Sequence, residues 1–522
     1  MAIEVWLPAL LGYLIPVGLF LLAWGGMEPQ RARRSATIGA LALALATIGY
    51  FAVGFAFHLG GARVVSEQPG LEGLDWLFAG EGRLHWGLIG LKGFFLANEA
   101  ATPEALALFI TYLPLATTAV LLLVLSASKR ARGWQVTFGG LVMATVLFPI
   151  TACWAWGGGW LANLGHTLTL GHGFVDHAGS GVVYLLGGMA ALGALVGLGQ
   201  RLPRGEPGQP EEMPPAHFPL LANLGALLFG LGLIGWSLSQ PFHVAGAEMN
   251  LPRIAVNSLL AGAGAIFISQ AYSWFAVGHA DALMSARGMA AGFVAIAASA
   301  PFVPPWAALL TGAVAGALLP LVVYLVERVL RLPDGTATVA LGITAGIVGL
   351  LAVAIFADGL WGQGWNGIGA SEYRTVTGQG VTGWVTAPDS GFVDDFRGQM
   401  IAQLVGIGAI GLPAFLISWL VFLALNLPYR PRKERTPKEE EAIEEETETE
   451  KGGGWLASFG QSLFPPRERE AEREEDEPEA EERTRKEESG WLTFLKQNLP
   501  QPRKRPTEPE ETEPTSEQDV EG

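Results

Sequence analysis

Residues 103–155 read PEALALFITYLPLATTAVLLLVLSASKRARGWQVTFGGLVMATVLFPITACWA, and this stretch decides the fold. Its two apolar runs, 103–127 and 134–155, each suffice to cross a hydrocarbon core of about 30 Å, which takes roughly 20 residues at about 1.5 Å apiece. Lys129, Arg130 and Arg132 lie between them, the basic signature of a cytoplasmic connection. Further apolar runs cover 5–24, 36–57, 178–199, 217–241, 254–277, 286–302, 305–327, 336–357 and 400–426, of which 286–302 is the shortest. The sequence therefore predicts an all-α membrane protein with eleven transmembrane helices over residues 1–428, followed by a charged tail over 429–522.

Basic residues set the orientation. Arg31, Arg33 and Arg34 follow the first span, Arg201 and Arg204 the fifth, Arg287 the seventh, Arg328 and Arg331 the ninth, and Arg430, Arg432, Lys433 and Arg435 the last. Every second connection is basic, which predicts an N-terminus outside and a tail inside an inner cell membrane. The long connections 58–102 and 358–399 fall outside by the same count. The first span has no basic start and no small-residue cleavage site after it, so it reads as a retained helix rather than a signal peptide; a cleaved signal would leave ten spans.

Charge divides with the chain. The tail holds 28 of the 49 acidic and 16 of the 33 basic residues, leaving 21 and 17 for the rest, so the net charge of −16 splits into −12 and −4. An acidic tail excludes nucleic acid as a partner held by bulk charge. The single cysteine, Cys153, excludes an internal disulfide. No phosphate-binding loop, dinucleotide fingerprint, nucleophile elbow or zinc-protease motif is present, which argues against an enzyme and against a bound cofactor. His166, His172 and His177 cluster with Asp176 before the fifth span, but without ligand spacing; they read as loop histidines, and no metal site is assigned.

Small residues crowd the spans, as in Gly187, Gly188, Ala190, Ala191, Gly193 and Ala194, and they let helix backbones approach closely in lipid. Five spans is an odd number, so two five-helix repeats must be inverted relative to each other, with any conduit near the midplane at their interface. Asp176 opens the fifth span and Asp334 the tenth; eight residues into each lie Tyr184 and Gly342, which such a repeat would bring together from opposite directions.

Several segments carry a family resemblance. Residues 286–296 (ARGMAAGFVAI) and 302–316 (FVPPWAALLTGAVAG), 155–161 (AWGGGWL), 176–184 (DHAGSGVVY) and 255–258 (AVNS) are similar to signatures of the ammonium transporter and Rh superfamily. The resemblance is clear from about 105 to 358 and implies a homotrimer in the lipid bilayer, each subunit with its own narrow pore for ammonium, ammonia or a similarly small species. By this resemblance Trp156 is the aromatic that recruits a cation through its ring face, Asp176 the buried acid behind it, Trp236 the inner pore gate and Leu115 the outer one. The pore centre departs from the family. Tyr184 and Gly342 stand where two facing histidines are characteristic, and Gly342 would leave a volume to be filled. Gln240 replaces a small hydroxyl at the recruitment site. All eight histidines fall in or beside expected connections. A phenol with an ordinary pKa near about 10 cannot cycle a proton at neutral pH as imidazole does.

The tail is expected to be disordered, with two islands. Residues 454–467 (GWLASFGQSLFPPR) and 490–503 (GWLTFLKQNLPQPR) share one pattern. Trp455, Leu456, Phe459 and Leu463, and likewise Trp491, Leu492, Leu495 and Leu499, would gather on one face of a short helix ended by proline. Such a helix folds only on a partner, either the groove of a cytoplasmic protein or the membrane surface. Two copies on one linker favour multivalent capture. The alternative function is thus a transport-poor sensor or anchor that recruits a soluble partner.

Overall fold

The computed structural model describes residues 9–27, 29–79, 86–128, 131–199, 202, 217–239 and 249–427. Gln240 and the tail motifs lie outside the described residues. Ten helices among them are long and apolar enough to cross a membrane: α1 (Ala9–Gly26), α2 (Arg31–Val64), α3 (Pro103–Ala127), α4 (Gly133–Ala155), α5 (Ser180–Leu198), α6 (Pro219–Ser239), α7 (Leu251–Ala276), α9 (Pro305–Val329), α10 (Thr338–Phe356) and α11 (Phe396–Asn426). A shorter apolar helix, α8 (Ala282–Ala297), lies between α7 and α9.

Local chemistry fixes the helix starts. Thr102 accepts a hydrogen bond from Ala105 N at 3.2 Å, with Pro103 opening α3. Asn250 and Asp281 do the same for α7 and α8, at 3.0 and 2.9 Å. Two expected boundaries are corrected. The second span reaches from Arg31 to Val64 rather than 36–57, so its arginines lie in the helix instead of preceding it. The eighth ends at Ala297, because the chain turns over 298–303 to reach Pro305. The fold is also not purely helical. Two antiparallel ribbons, β1 (Leu77–Ala79) with β2 (Gly87–Gly90) and β3 (Glu372–Tyr373) with β4 (Val376–Thr377), pair the backbone in the long connections, where no helix ladder does so.

The bundle is assembled on backbone contact. A Cβ built on Gly18 would lie 2.3 Å from Phe229 N, and one on Gly225 2.3 Å from Leu22 N. Along the same seam Gly25 meets Ala222 and Gly12 meets Trp236, so α1 and α6 cross antiparallel. Helices α5 and α10 cross the same way: Gly346 sits on the Ser180 carbonyl and Gly342 on that of Tyr184. A Cβ on Gly312 would be 1.9 Å from Ala261 O, which seats α9 on α7, and Gly193 and Gly197 let α11 close on α5. Dispersion and shape, not water exclusion, supply attraction between helices in lipid, so these absent side chains matter.

The starts of α5 and α10 repeat one device. The Asp176 carboxylate accepts from the amides of Gly181 and Val182, five and six residues on, both at 2.9 Å. The Asp334 carboxylate accepts from Val339 and Ala340, again five and six residues on, at 3.0 and 3.4 Å. Three residues after each aspartate the chain takes a left-handed turn, at Gly179 (φ +92°) and Ala337 (φ +55°).

Replacing Gly225 by leucine would force α1 and α6 apart. It is expected to cost at least about 2 kcal/mol, read as a lower unfolding midpoint in detergent; an unchanged midpoint would refute the close crossing.

Candidate functional site

Four rings meet where α2, α3, α4 and α6 converge. Trp156, which ends α4, lies 6.1 Å from Trp236 of α6, 5.7 Å from Tyr112 of α3 and 6.1 Å from His58 of α2, between ring centroids. Tyr112 closes the group at 5.7 Å from Trp236 and 4.7 Å from His58. Both indoles are held by their N–H groups. Trp156 Nε1 donates to the Asp176 carbonyl at 2.7 Å and Trp236 Nε1 to the Thr111 carbonyl at 2.7 Å. The rings meet at tilted or edge-on angles with the indole N–H groups tied to backbone, and aromatic faces are the groups that attract a small cation electrostatically.

Asp176 is buried, and its carboxylate is committed to amides at the start of α5, Gly179 N included at 3.0 Å. Burial pushes its acid up to about 6 against the opposing pull of those amides. Its link to the ring cluster runs through its main-chain oxygen, which holds Trp156.

Tyr184 and Gly342 do come together. A Cβ on Gly342 would stand 2.4 Å from Tyr184 O and 2.8 Å from Gly188 Cα. The expected empty volume at position 342 is therefore absent: the α5 backbone has moved in and occupies it. The Tyr184 ring is fully buried against Phe229, with centroids 5.7 Å apart, and its hydroxyl has no hydrogen-bond partner among the described residues.

Other expectations are redistributed. Leu115 is buried, but the α3 ring that faces Trp156 and Trp236 is Tyr112, one turn away. His166, His172 and His177 do not converge: His166 Nε2 meets Asn366 O at 3.0 Å, His177 Nε2 meets Ser237 O at 3.1 Å, and His172 packs on Tyr373 with centroids 4.3 Å apart. Histidine is also not confined to connections, since His58 lies inside α2 and is fully buried. Tyr112, His58 and Phe229 pack at these positions without being singled out by the sequence. A histidine one residue past an expected span end was the only available signal.

The Ammonium Transporter Family profile matches residues 5–448. The ammonium transporter Amt2 of Archaeoglobus fulgidus is 30% identical over 394 residues, 75% of this chain and 76% of that protein. Ammonium transporter Amt1 of Methanocaldococcus jannaschii is 31% identical over 240 residues, 46% of this chain and 58% of that one. Among solved structures, a protein described as a sensor Amt protein superposes with a TM-score of 0.64 at 24% identity, covering 84% of this chain and 95% of its own. Mep2 of Candida albicans does so with a TM-score of 0.63 at 21% identity, covering 82% and 84%.

Gly342→His, which would add one imidazole of a facing pair, should instead wedge α5 from α10 and cost about 3 kcal/mol; a wild-type unfolding midpoint would contradict the contact. His172 yields a pH dependence. Burial lowers its pKa from 6.5 to about 3, so the unfolded chain takes the proton first as pH falls. Relative to His172→Phe, the wild type should lose about 1.4 kcal/mol per pH unit below 6.5, measured by thermal unfolding from pH 7 to 4; parallel curves would exclude it.

Proposed function

Because this chain belongs to the ammonium transporter family, we propose that it is a homotrimeric conduit of an inner cell membrane for ammonium, ammonia or a similarly small species. The observation that carries this reading is the cluster of Trp156, Trp236 and Tyr112, whose indole N–H groups are spent on backbone so that ring faces remain to attract a cation. Asp176 acts by position: its carboxylate orders the start of α5 and its carbonyl orients Trp156. By the family resemblance, Gln240 stands where a small hydroxyl belongs to the recruitment site. Leu115 and Tyr112 would form the outer constriction and Trp236 the inner one.

The architecture that fits is eleven spans, counting α8, arranged as an inverted five-plus-five repeat with α11 added. Support comes from the antiparallel crossings of α1 with α6 and α5 with α10, and from the matched caps of Asp176 and Asp334. The basic connections favour an outer N-terminus and a cytoplasmic tail over 429–522. At the pore centre a phenol and a bare backbone replace a pair of imidazoles, so permeation proceeds without a histidine proton relay there.

A second reading follows from the tail. Tandem motifs at 454–467 and 490–503 fit multivalent capture of a cytoplasmic protein through Trp455, Leu456, Phe459 and Leu463 and through Trp491, Leu492, Leu495 and Leu499. A transport-poor sensor would use the bundle to detect ammonium and the tail to report it.

Uptake of labelled methylammonium into proteoliposomes separates the two. The first reading expects saturable flux that falls about 2- to 30-fold in Trp156→Ala, the worth of one cation–π contact, and is unchanged when 429–522 is deleted. Absence of saturable wild-type flux, with a partner protein bound by the tail, would overturn it in favour of the second.

A further inference from the structure

His58 is completely buried within α2 yet only half satisfied. Its Nδ1 lies 2.8 Å from the Tyr50 hydroxyl, while Nε2 has no hydrogen-bond partner among the described residues. The pairing depends on a local irregularity of the helix. Between Tyr50 and Gly54 the chain makes one π-helical turn, in which the Phe55 amide donates to Tyr50 O, five residues back. In an unbroken α-helix, residues eight apart differ by about 80° around the axis, at opposite margins of one face. One extra residue in a wide turn makes that offset equivalent to seven, about 20° from alignment. A feature that interrupts regular hydrogen bonding thus serves to hold an imidazole.

The hydrogen-bond inventory favours one tautomer. Tyr50 is fully buried, and His58 is its only hydroxyl partner among the described residues. With Tyr50 donating to Nδ1 only the Nε2–H is left unpaired, whereas with Nδ1–H donating to the phenol oxygen both the phenol hydrogen and the Nε2 lone pair are. Tyr50 therefore donates to Nδ1, and the neutral ring carries its proton on Nε2. That N–H lies across the ring from the nitrogen that meets Tyr50. The Tyr112 and Trp156 rings lie beside the imidazole, 4.7 and 6.1 Å from it between centroids. The His58 carbonyl is locked as well, since a Cβ on Gly157 would come within 2.2 Å of it.

We propose that His58 Nε2–H is a hydrogen-bond donor to the lone pair of a small neutral amine beside the Trp156–Tyr112 rings, with Tyr50 as the residue that positions it. An ammonium cation has no lone pair and cannot accept this bond, whereas ammonia or methylamine can. The ring faces and the imidazole thus recognise the two protonation states of one molecule at adjoining places. This rests on the transport reading above, and the test keeps the two separable.

The full-length protein, labelled with nitrogen-15 histidine and reconstituted in lipid bilayers, is studied by solid-state NMR, with the His58 signal assigned by its loss in His58→Phe. The expected spectrum shows the Nε2–H tautomer, shifted by ammonium chloride but not by equal potassium chloride. In Tyr50→Phe the single tautomer should give way to a mixture. In parallel, His58→Phe should lower methylammonium flux about tenfold, the loss of one buried hydrogen bond. An Nδ1–H tautomer, no response to ammonium, or undiminished flux in a folded His58→Phe trimer would overturn the proposal. Wild-type protein that shows the shift but no flux would uphold His58 as an amine site while refuting transport.

Discussion

The contact between the Gly342 backbone and the carbonyl of Tyr184 constrains everything around it. Two helices that touch main chain to main chain at the middle of a bundle leave their neighbours little freedom, because any side chain at the crossing would push them apart. The flanking caps set the depth at which each helix enters the crossing. Asp176 and Asp334 bind amides at the same offsets and follow with the same left-handed turn, so each helix presents to the other the residue eight past its aspartate. Buried carboxylates at helix starts satisfy amides that lipid could not.

From that crossing the chemistry is displaced along the bundle. The middle offers a phenol with an unpartnered hydroxyl and a glycine with no room beside it. Aromatic rings gather instead where Trp156, Trp236, Tyr112 and His58 meet. The Asp176 residue joins the two regions: its side chain caps α5 and its carbonyl fixes Trp156. Family membership supplies the fold and the transport context, while the arrangement of hydrogen-bonding groups along this bundle is the chain's own.

The ring cluster also explains why its members were hard to anticipate. Trp156 and Trp236 were legible only through the family resemblance, since a tryptophan near a span end reads by itself as an interface anchor. Tyr112 was hidden inside a helix that is apolar on every side, where Leu115 was an equally reasonable residue to face inward. Periodicity identifies a buried face only when another face is polar. In α3 nearly the whole circumference is buried, so no pattern distinguishes one turn from the next.

The sequence by itself determined that the chain spans a membrane many times, where most helices begin, that small residues line their crossings, and that Tyr184 and Gly342 lie at matching distances from Asp176 and Asp334. These properties are written in runs of residues and in local capping chemistry, both of which survive in one dimension. Tertiary structure alone decided that Gly342 is filled by backbone rather than empty, that α2 continues through His58, and that Tyr50 and His58 share a face. The reason is geometric. One extra residue in a helical turn rotates all that follows by about a quarter of a circle, and nothing in an unbroken apolar run records where that residue is inserted.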